Sequence, residues 1–148
     1  MKIVCKKFED LSILELYDIL QLRNEVFIVE QNCVYQDLDN KDKLAYHLMI
    51  YHSNSLVATT RILGPGISYE EYSSIGRVCT ELNARKLNLG RKAMENSIDL
   101  IKKLYPKAHI KISAQSYLKK FYTEFGFEED GEEYLEDNIP HIGMIKKL

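Results

Sequence analysis

Apolar and polar positions first settle into an extended run at Lys2-Ile3-Val4-Cys5-Lys6-Lys7-Phe8, which predicts a short opening strand. Ser12-Ile13-Leu14-Glu15 then reads as a capping box. The Ser12 hydroxyl takes a backbone N–H and Glu15 reaches back to the helix start. Leu11 and Leu16 can supply the accompanying hydrophobic staple. Leu16, Leu20, Val26 and Phe27 follow at nearly helical spacing, predicting a helix over residues 12–29. Glu30–Lys43 is polar and irregular, with Asp37, Asp39 and Asp42 in a loop. Leu44–Tyr51 and Leu56–Leu63 are rich in aromatic and branched residues, and the polar link His52-Ser53-Asn54-Ser55 joins them as an antiparallel hairpin. Gly64-Pro65-Gly66 breaks the chain before a further strand, Ser74–Thr80.

In the second half, Leu89, Ala93, Met94, Ile98, Ile101 and Leu104 form the apolar stripe of a second main helix, which Tyr105-Pro106 ends. Ile110–Ala114 is a short strand. A helix carrying Leu118, Phe121, Tyr122 and Phe125 follows, with Gly126 as its C-cap. Phe127–Leu148 holds two more strands around Asn138-Ile139-Pro140. The order β-α-β-β-β-α-β-α-β-β predicts an α/β fold, a mixed sheet with helices on both faces. No internal repeat is present.

Composition narrows the class. A chain of 148 residues, 45% hydrophobic and 28% charged, is expected to form one soluble domain over 1–148 with a real core. A net charge of −2 argues against a nucleic-acid module, which needs an excess of Lys and Arg. No apolar run is long enough to cross a bilayer, and Met1–Lys7 lacks a signal-peptide core, so a cytoplasmic protein with no membrane partner is expected. Cys5, Cys33 and Cys79 are odd in number and widely spaced, as free thiols would be. No Cys/His spacing resembles a zinc site, and no metal is expected.

The chemistry concentrates after the strand at Ser74–Thr80. Arg85-Lys86-Leu87-Asn88-Leu89-Gly90 is a basic turn leading into an amphipathic helix. Backbone N–H groups at such a helix start converge on one point and carry partial positive charge, which suits a phosphate. Arg85, Lys86 and Arg91 add full charges around it. The alternative is a basic helix start exposed on the surface.

Element order and this loop together resemble the Gcn5-related N-acetyltransferase (GNAT) superfamily. Arg85-Lys86-Leu87-Asn88-Leu89-Gly90 is similar to its pyrophosphate signature, Gln/Arg-x-x-Gly-x-Gly/Ala, with Asn88 where Gly is usual. Asn accepts positive φ better than most residues. Gln115, Leu118, Tyr122 and Gly126-Phe127 fall at the spacing of the superfamily's Asn-x-x-Ala-x-x-x-Tyr-x-x-x-Gly-Phe helix. Nearly end to end, the chain is similar to the small bacterial ElaA family, through Leu22–Gln31, Tyr35-Gln36-Asp37, Gly76-Arg77-Val78, Phe121-Tyr122 and Ile139–Met144.

That resemblance implies a GNAT-type, mostly antiparallel sheet and acetyl-CoA as acyl donor. The acceptor is a small-molecule or peptide amine, which is left unspecified, and a homodimer is implied by analogy, with the aromatics of the C-terminal hairpin as a contact. It implies that Arg77, Val78, Cys79 and Thr80 line the pantetheine arm, with an amide near Val78 polarising the thioester. Gln115 would hydrogen-bond the pantetheine amides and Tyr122 would protonate the leaving thiolate. Arg85, Lys86, Leu87, Asn88, Leu89, Gly90 and Arg91 would hold the pyrophosphate. Cys79 invites a covalent intermediate, but no His sits at an informative spacing, and a small core cysteine is the plainer reading. The general base is open between Glu25, Glu30, Asp37, Asp39 and His141, with His141 having the best-suited ordinary pKa. Asp37–Asp42 could attract a cationic amine or be a solvated charged loop. Rival functions are a non-catalytic CoA-sensing module and an acyl-homoserine-lactone-synthase-like acyltransferase.

Overall fold

A computed structural model describes residues 1–148. Seven strands form two antiparallel sheets: β1 (Lys2–Lys7), β2 (Tyr46–His52), β3 (Ser55–Leu63) and β4 (Ser74–Thr80) in the order β1-β2-β3-β4, and β5 (Ile110–Gln115), β6 (Glu128–Glu136) and β7 (Ile139–Lys146) in the order β5-β7-β6. A single parallel bridge, Ser73 to Ile110, links the sheets. The expected α/β order of elements is present throughout.

The capping box is formed. The Glu15 amide donates to Ser12 Oγ at 3.0 Å, and the Ser12 amide donates to Glu15 Oε1 at 2.8 Å. The helix expected over 12–29 divides into α1 (Ile13–Arg23) and a π-helical continuation, Asn24–Glu30. The change begins directly after Arg23, which is 1% exposed and tied by ion pairs to the loop beyond. Wider π turns recur at functional sites.

Lys41–Leu44 forms a 3-10 turn, so β2 starts two residues later than the alternation of Leu44–Tyr51 indicates. Two-residue turns close both hairpins. Ser53 and Asn54 lie at φ 52 and 66, and Asp137 and Asn138 at φ 51 and 63, the backbone that matches strand twist. The C-terminal turn therefore precedes Ile139-Pro140, which belong to β7.

Helix α2 (Leu89–Leu104) buries its predicted stripe, including Leu89, Ala93, Met94, Ile98 and Ile101, against β2–β5 and β7 in one core. Within that core Ser97 Oγ and Thr60 Oγ hydrogen-bond at 2.7 Å, which offsets the cost of burying both. On the opposite face, Leu22 and Val26 pack with Cys79. The expected third helix is a 3-10 turn, Ser116–Leu118, followed by α3 (Lys119–Thr123). Gly126 at φ 92 ends it, and the Phe127 amide returns to the Tyr122 carbonyl at 3.4 Å.

Candidate active site

The sheets touch at one end only. The Ser73 amide donates to the His109 carbonyl at 3.0 Å and the Lys111 amide to the Ser73 carbonyl at 2.9 Å. Beyond these bonds β4 pairs only with β3, and β5 only with β7. The facing edges of β4 and β5 therefore diverge with main-chain groups left for a ligand, since buried backbone polar groups need partners. A cleft of about 690 Å³ opens there, lined by both strands, by Val26, Phe27 and Glu30 of the first helical segment, and by Tyr122 and His141.

One irregularity of β4 shapes this cleft. In the β3–β4 register Thr59 faces Cys79 and Arg61 faces Gly76, so Thr60 alone opposes Arg77 and Val78. This is a β-bulge, and its first residue, Arg77, sits at φ 48. Ile75 and Val78 consequently pack toward the same core although three positions apart, while Cys79 packs on the other face. Without the extra residue, Ile75 and Val78 would point to opposite faces.

The start of α2 forms the far end of the cleft. Asn88 adopts φ 58 and ψ 37, so the left-handed turn is made with Asn in the usual Gly place. No side chain caps α2. The first intrahelical bond runs from the Lys92 amide to the Asn88 carbonyl at 3.3 Å, leaving the amides of Leu89, Gly90 and Arg91 without helical acceptors. Leu89 contributes only backbone, because its side chain is buried in the core.

The cations of this loop are differently placed from the expected cage. Arg85 donates from Nη1 and Nη2 to the two carboxylate oxygens of Glu30, both at 2.7 Å, and from Nε to Thr80 Oγ1 at 3.2 Å. Arg91 pairs with Glu124 and stacks 5.2 Å from the Phe125 ring. Of residues 85–91, only Arg85 and Gly90 line the cleft, and Lys86 and Leu87 are solvent-facing. Both ion pairs are exposed, so each contributes about 1 kcal/mol or less and a phosphate can compete for the arginine.

Tyr122 is 8% exposed, with its ring edge-on to Phe121 and Phe127 at 5.1 and 6.2 Å. Its hydroxyl has no protein partner and is not sealed off from the cleft. Burial, with a smaller push from Tyr117, raises its pKa to about 12. Gln115 lies opposite His141 across β5–β7, and both line the cleft. His141 is 7% exposed; Nδ1 lies 2.7 Å from the Ile139 carbonyl and Nε2 3.2 Å from Glu136 Oε2, so each ring nitrogen faces an acceptor. Glu30 reaches the cleft, but Arg85 holds both its oxygens, which leaves it poorly placed as a base. Glu25 does not line the cleft, and burial pushes the Cys79 thiol up to about 12, a poor nucleophile.

The acidic loop is neither an amine lure nor a solvated run. Its carboxylates are consumed by three arginines. Arg23 donates from Nε to Asp37 at 2.8 Å and from both terminal nitrogens to Asp42 at 2.8 and 3.2 Å. Arg61 donates to Asp39 at 2.8 and 3.0 Å and to Asp42 at 3.1 Å. Arg77 donates from Nε to Asp37 at 2.7 Å. Burial alone would raise the Asp39 carboxyl, but the Arg61 hydrogen bonds and charge outweigh it and bring the pKa to about 2. Asp42 is lowered in the same way, chiefly by Arg23 against burial. Asp37 and Asp39 are thereby unavailable as bases. Sequence reasoning did not anticipate this network. Its available signal was Arg61 as the one charged residue of a strand that is otherwise uncharged, since a buried guanidinium requires a carboxylate.

Residues 15–148 match the family model described as the acetyltransferase (GNAT) domain. The chain is 38% identical over 141 residues to ElaA of Escherichia coli, covering 94% of this chain and 92% of that protein. It is 40% identical over 144 residues to a protein of Synechocystis sp., covering 97% and 93%. Among solved structures, an acyl-CoA N-acyltransferase from Pseudomonas aeruginosa matches with a TM-score of 0.93 at 40% identity, over 99% of this chain and 100% of the other. The crystal structure of Escherichia coli ElaA matches with a TM-score of 0.91 at 36% identity, over 99% and 100%.

Proposed function

The chain belongs to the GNAT acetyltransferase family, and from that premise we propose that it is an acetyl-CoA-dependent N-acetyltransferase, acting through one domain over 1–148 on a primary amine of a small molecule or peptide. The observation that carries this reading is the divergence of β4 from β5, which ends at the uncapped start of α2. The strand edges offer hydrogen bonds to a pantetheine arm, and the amides of Leu89, Gly90 and Arg91 offer donors to a pyrophosphate. Gln115 supplies both a donor and an acceptor to the arm's amides.

The reaction is direct attack. The amine nitrogen bonds to the thioester carbon, the Val78 amide holds the developing oxyanion, and the C–S bond then breaks. A buried Cys79 thiol at about 12 supports attack without a covalent intermediate. With Tyr122 at about 12, giving its proton outright to a thiolate of ordinary pKa about 8.5 is uphill. Tyr122 therefore serves by donating a hydrogen bond to the departing sulfur. His141 is the remaining candidate to accept the ammonium proton, directly or through water, with Glu136 beside it.

The test is calorimetric titration with acetyl-CoA, with dephospho-CoA and ATP as controls, followed by an amine panel. Saturable binding selective for acetyl-CoA and turnover on an amine are expected. Absence of binding at millimolar acetyl-CoA would overturn the proposal, and binding without turnover would favour a CoA-sensing module.

A further inference from the structure

We propose that Asp37 is a positioning residue: by gripping Arg77 it holds the β4 bulge in the left-handed conformation that turns the Val78 amide toward the thioester. The inference rests on the role given above to Val78.

A long side chain at φ 48 inside a strand is unfavourable and persists only where the surroundings fix it. The fixing contacts are visible. Arg77 Nε donates to Asp37 Oδ1 at 2.7 Å, and Arg77 Nη2 donates to the Asp37 carbonyl oxygen at 3.1 Å. One residue thus holds the guanidinium through both its side chain and its main chain. A weaker contact joins Arg77 Nη2 to Asp39 at 3.5 Å.

Asp37 is itself pinned. Its second oxygen accepts from Arg23 Nε at 2.8 Å, and the Tyr35 hydroxyl donates to its first at 3.2 Å. Arg23 lies at the end of α1, 1% exposed, and clasps Asp42 with both terminal nitrogens. A rigid connection therefore runs from α1 through Asp37 to the bulge. Its consequence falls on the next peptide, because the conformation of Arg77 sets the direction of the Val78 N–H. Stabilisation alone could be achieved by pairing Arg77 with any loop acid; a two-point grip on the one non-glycine strand residue at positive φ fixes a backbone direction.

The experiment uses acetyl-CoA labelled with carbon-13 at the thioester carbonyl and isotope-edited infrared spectroscopy of the bound donor, which needs no acceptor. The variants are Asp37→Asn, Arg77→Lys, Arg77→Gly and the double variant Asp37→Asn/Arg77→Gly. Asn keeps an acceptor for Arg23, and Gly adopts φ 48 without cost. In the unaltered protein the carbonyl band should lie below that of free acetyl-CoA.

In Asp37→Asn and Arg77→Lys the band should move back toward the free value, with acetyl-CoA affinity changed less than about threefold and kcat lowered roughly tenfold or more once an acceptor is known. In the Arg77→Gly background, Asp37→Asn should leave band and kcat unchanged within twofold. Should Asp37→Asn not fold, Arg77→Lys carries the same test at a partly exposed side chain. Lowered thermal stability with an unmoved band in the single variants would overturn the inference, as would a full Asp37→Asn effect in the Arg77→Gly background. An unaltered protein whose own band is not lowered would instead overturn the role of Val78.

Discussion

Replacing Tyr122 by Phe removes one oxygen from a side chain whose ring is otherwise held by Phe121 and Phe127. The hydroxyl has no protein partner, so its loss strands no donor or acceptor and should change the melting temperature little. The effect should fall on the transition state. A phenol at about 12 and a thiol at about 8.5 differ by about 3.5 units, or about 5 kcal/mol at 1.36 kcal/mol per unit, against full transfer to a free thiolate. A hydrogen bond to a charged group contributes about 1.5–3 kcal/mol, and that is the stabilisation the developing thiolate can draw from Tyr122.

The expected loss in kcat is therefore about 10- to 150-fold, with acetyl-CoA affinity nearly unchanged. The assay is steady-state release of CoA thiol, with calorimetry for affinity. No limb of the kcat profile below about pH 10 should belong to Tyr122, because the neutral phenol persists to about 12. The same raised pKa makes its contribution to stability present below pH 10 and lost as pH rises toward 12, so the Phe variant should melt less steeply in that window. An unchanged kcat would refute the role, and so would equal losses in kcat and affinity, which would mean Tyr122 only shapes the binding site.

Three further outcomes follow from other contacts. Glu30→Gln should release Arg85 and tighten acetyl-CoA up to about fivefold by calorimetry, since an exposed pair is worth about 1 kcal/mol or less; weaker binding would show that Glu30 supports the site rather than competing for it. Asp39 is lowered to about 2 and Asp42 is lowered as well, so their contribution to stability is present above the ordinary carboxylate range near 4 and is lost as pH falls below it. Asp42→Asn should flatten that acid loss and lower stability at neutral pH by about 3–5 kcal/mol in urea melts, because it leaves two buried arginines undercompensated; a change under 1 kcal/mol would mean the network reorganises around the loss. Asn88→Gly should bind acetyl-CoA as the unaltered protein does, whereas Asn88→Val should lose about 1–2 kcal/mol of stability at φ 58, read by thermal melts; equal melting of the two would deny strain at this turn.

What could be read from the sequence and what could not divides along a physical line. Elements written in local chemistry were legible: Ser12 and Glu15 cap α1, the stripe from Leu89 to Ile101 fills the core, and Gly126 ends α3. Each depends on residues within a turn or two of one another, where side-chain spacing determines the contact. The same holds for the left-handed turn at Asn88 that starts α2. Contacts made across long separations were hidden. Glu30 and Arg85 meet across 55 positions and Asp37 and Arg77 across 40, so nothing in local spacing distinguishes them from solvated charges. The bulge in β4 was hidden for a related reason. Ser74–Thr80 reads as a plain strand, and the extra residue exists only relative to the register of β3. The candidate site thus combines an uncapped helix start encoded locally with a bulged strand held by tertiary ion pairs. Local spacing is accordingly a better guide to where a phosphorylated donor would sit than to which groups orient its reacting carbonyl, and the latter must be read from the Asp37–Arg77 contact and its neighbours.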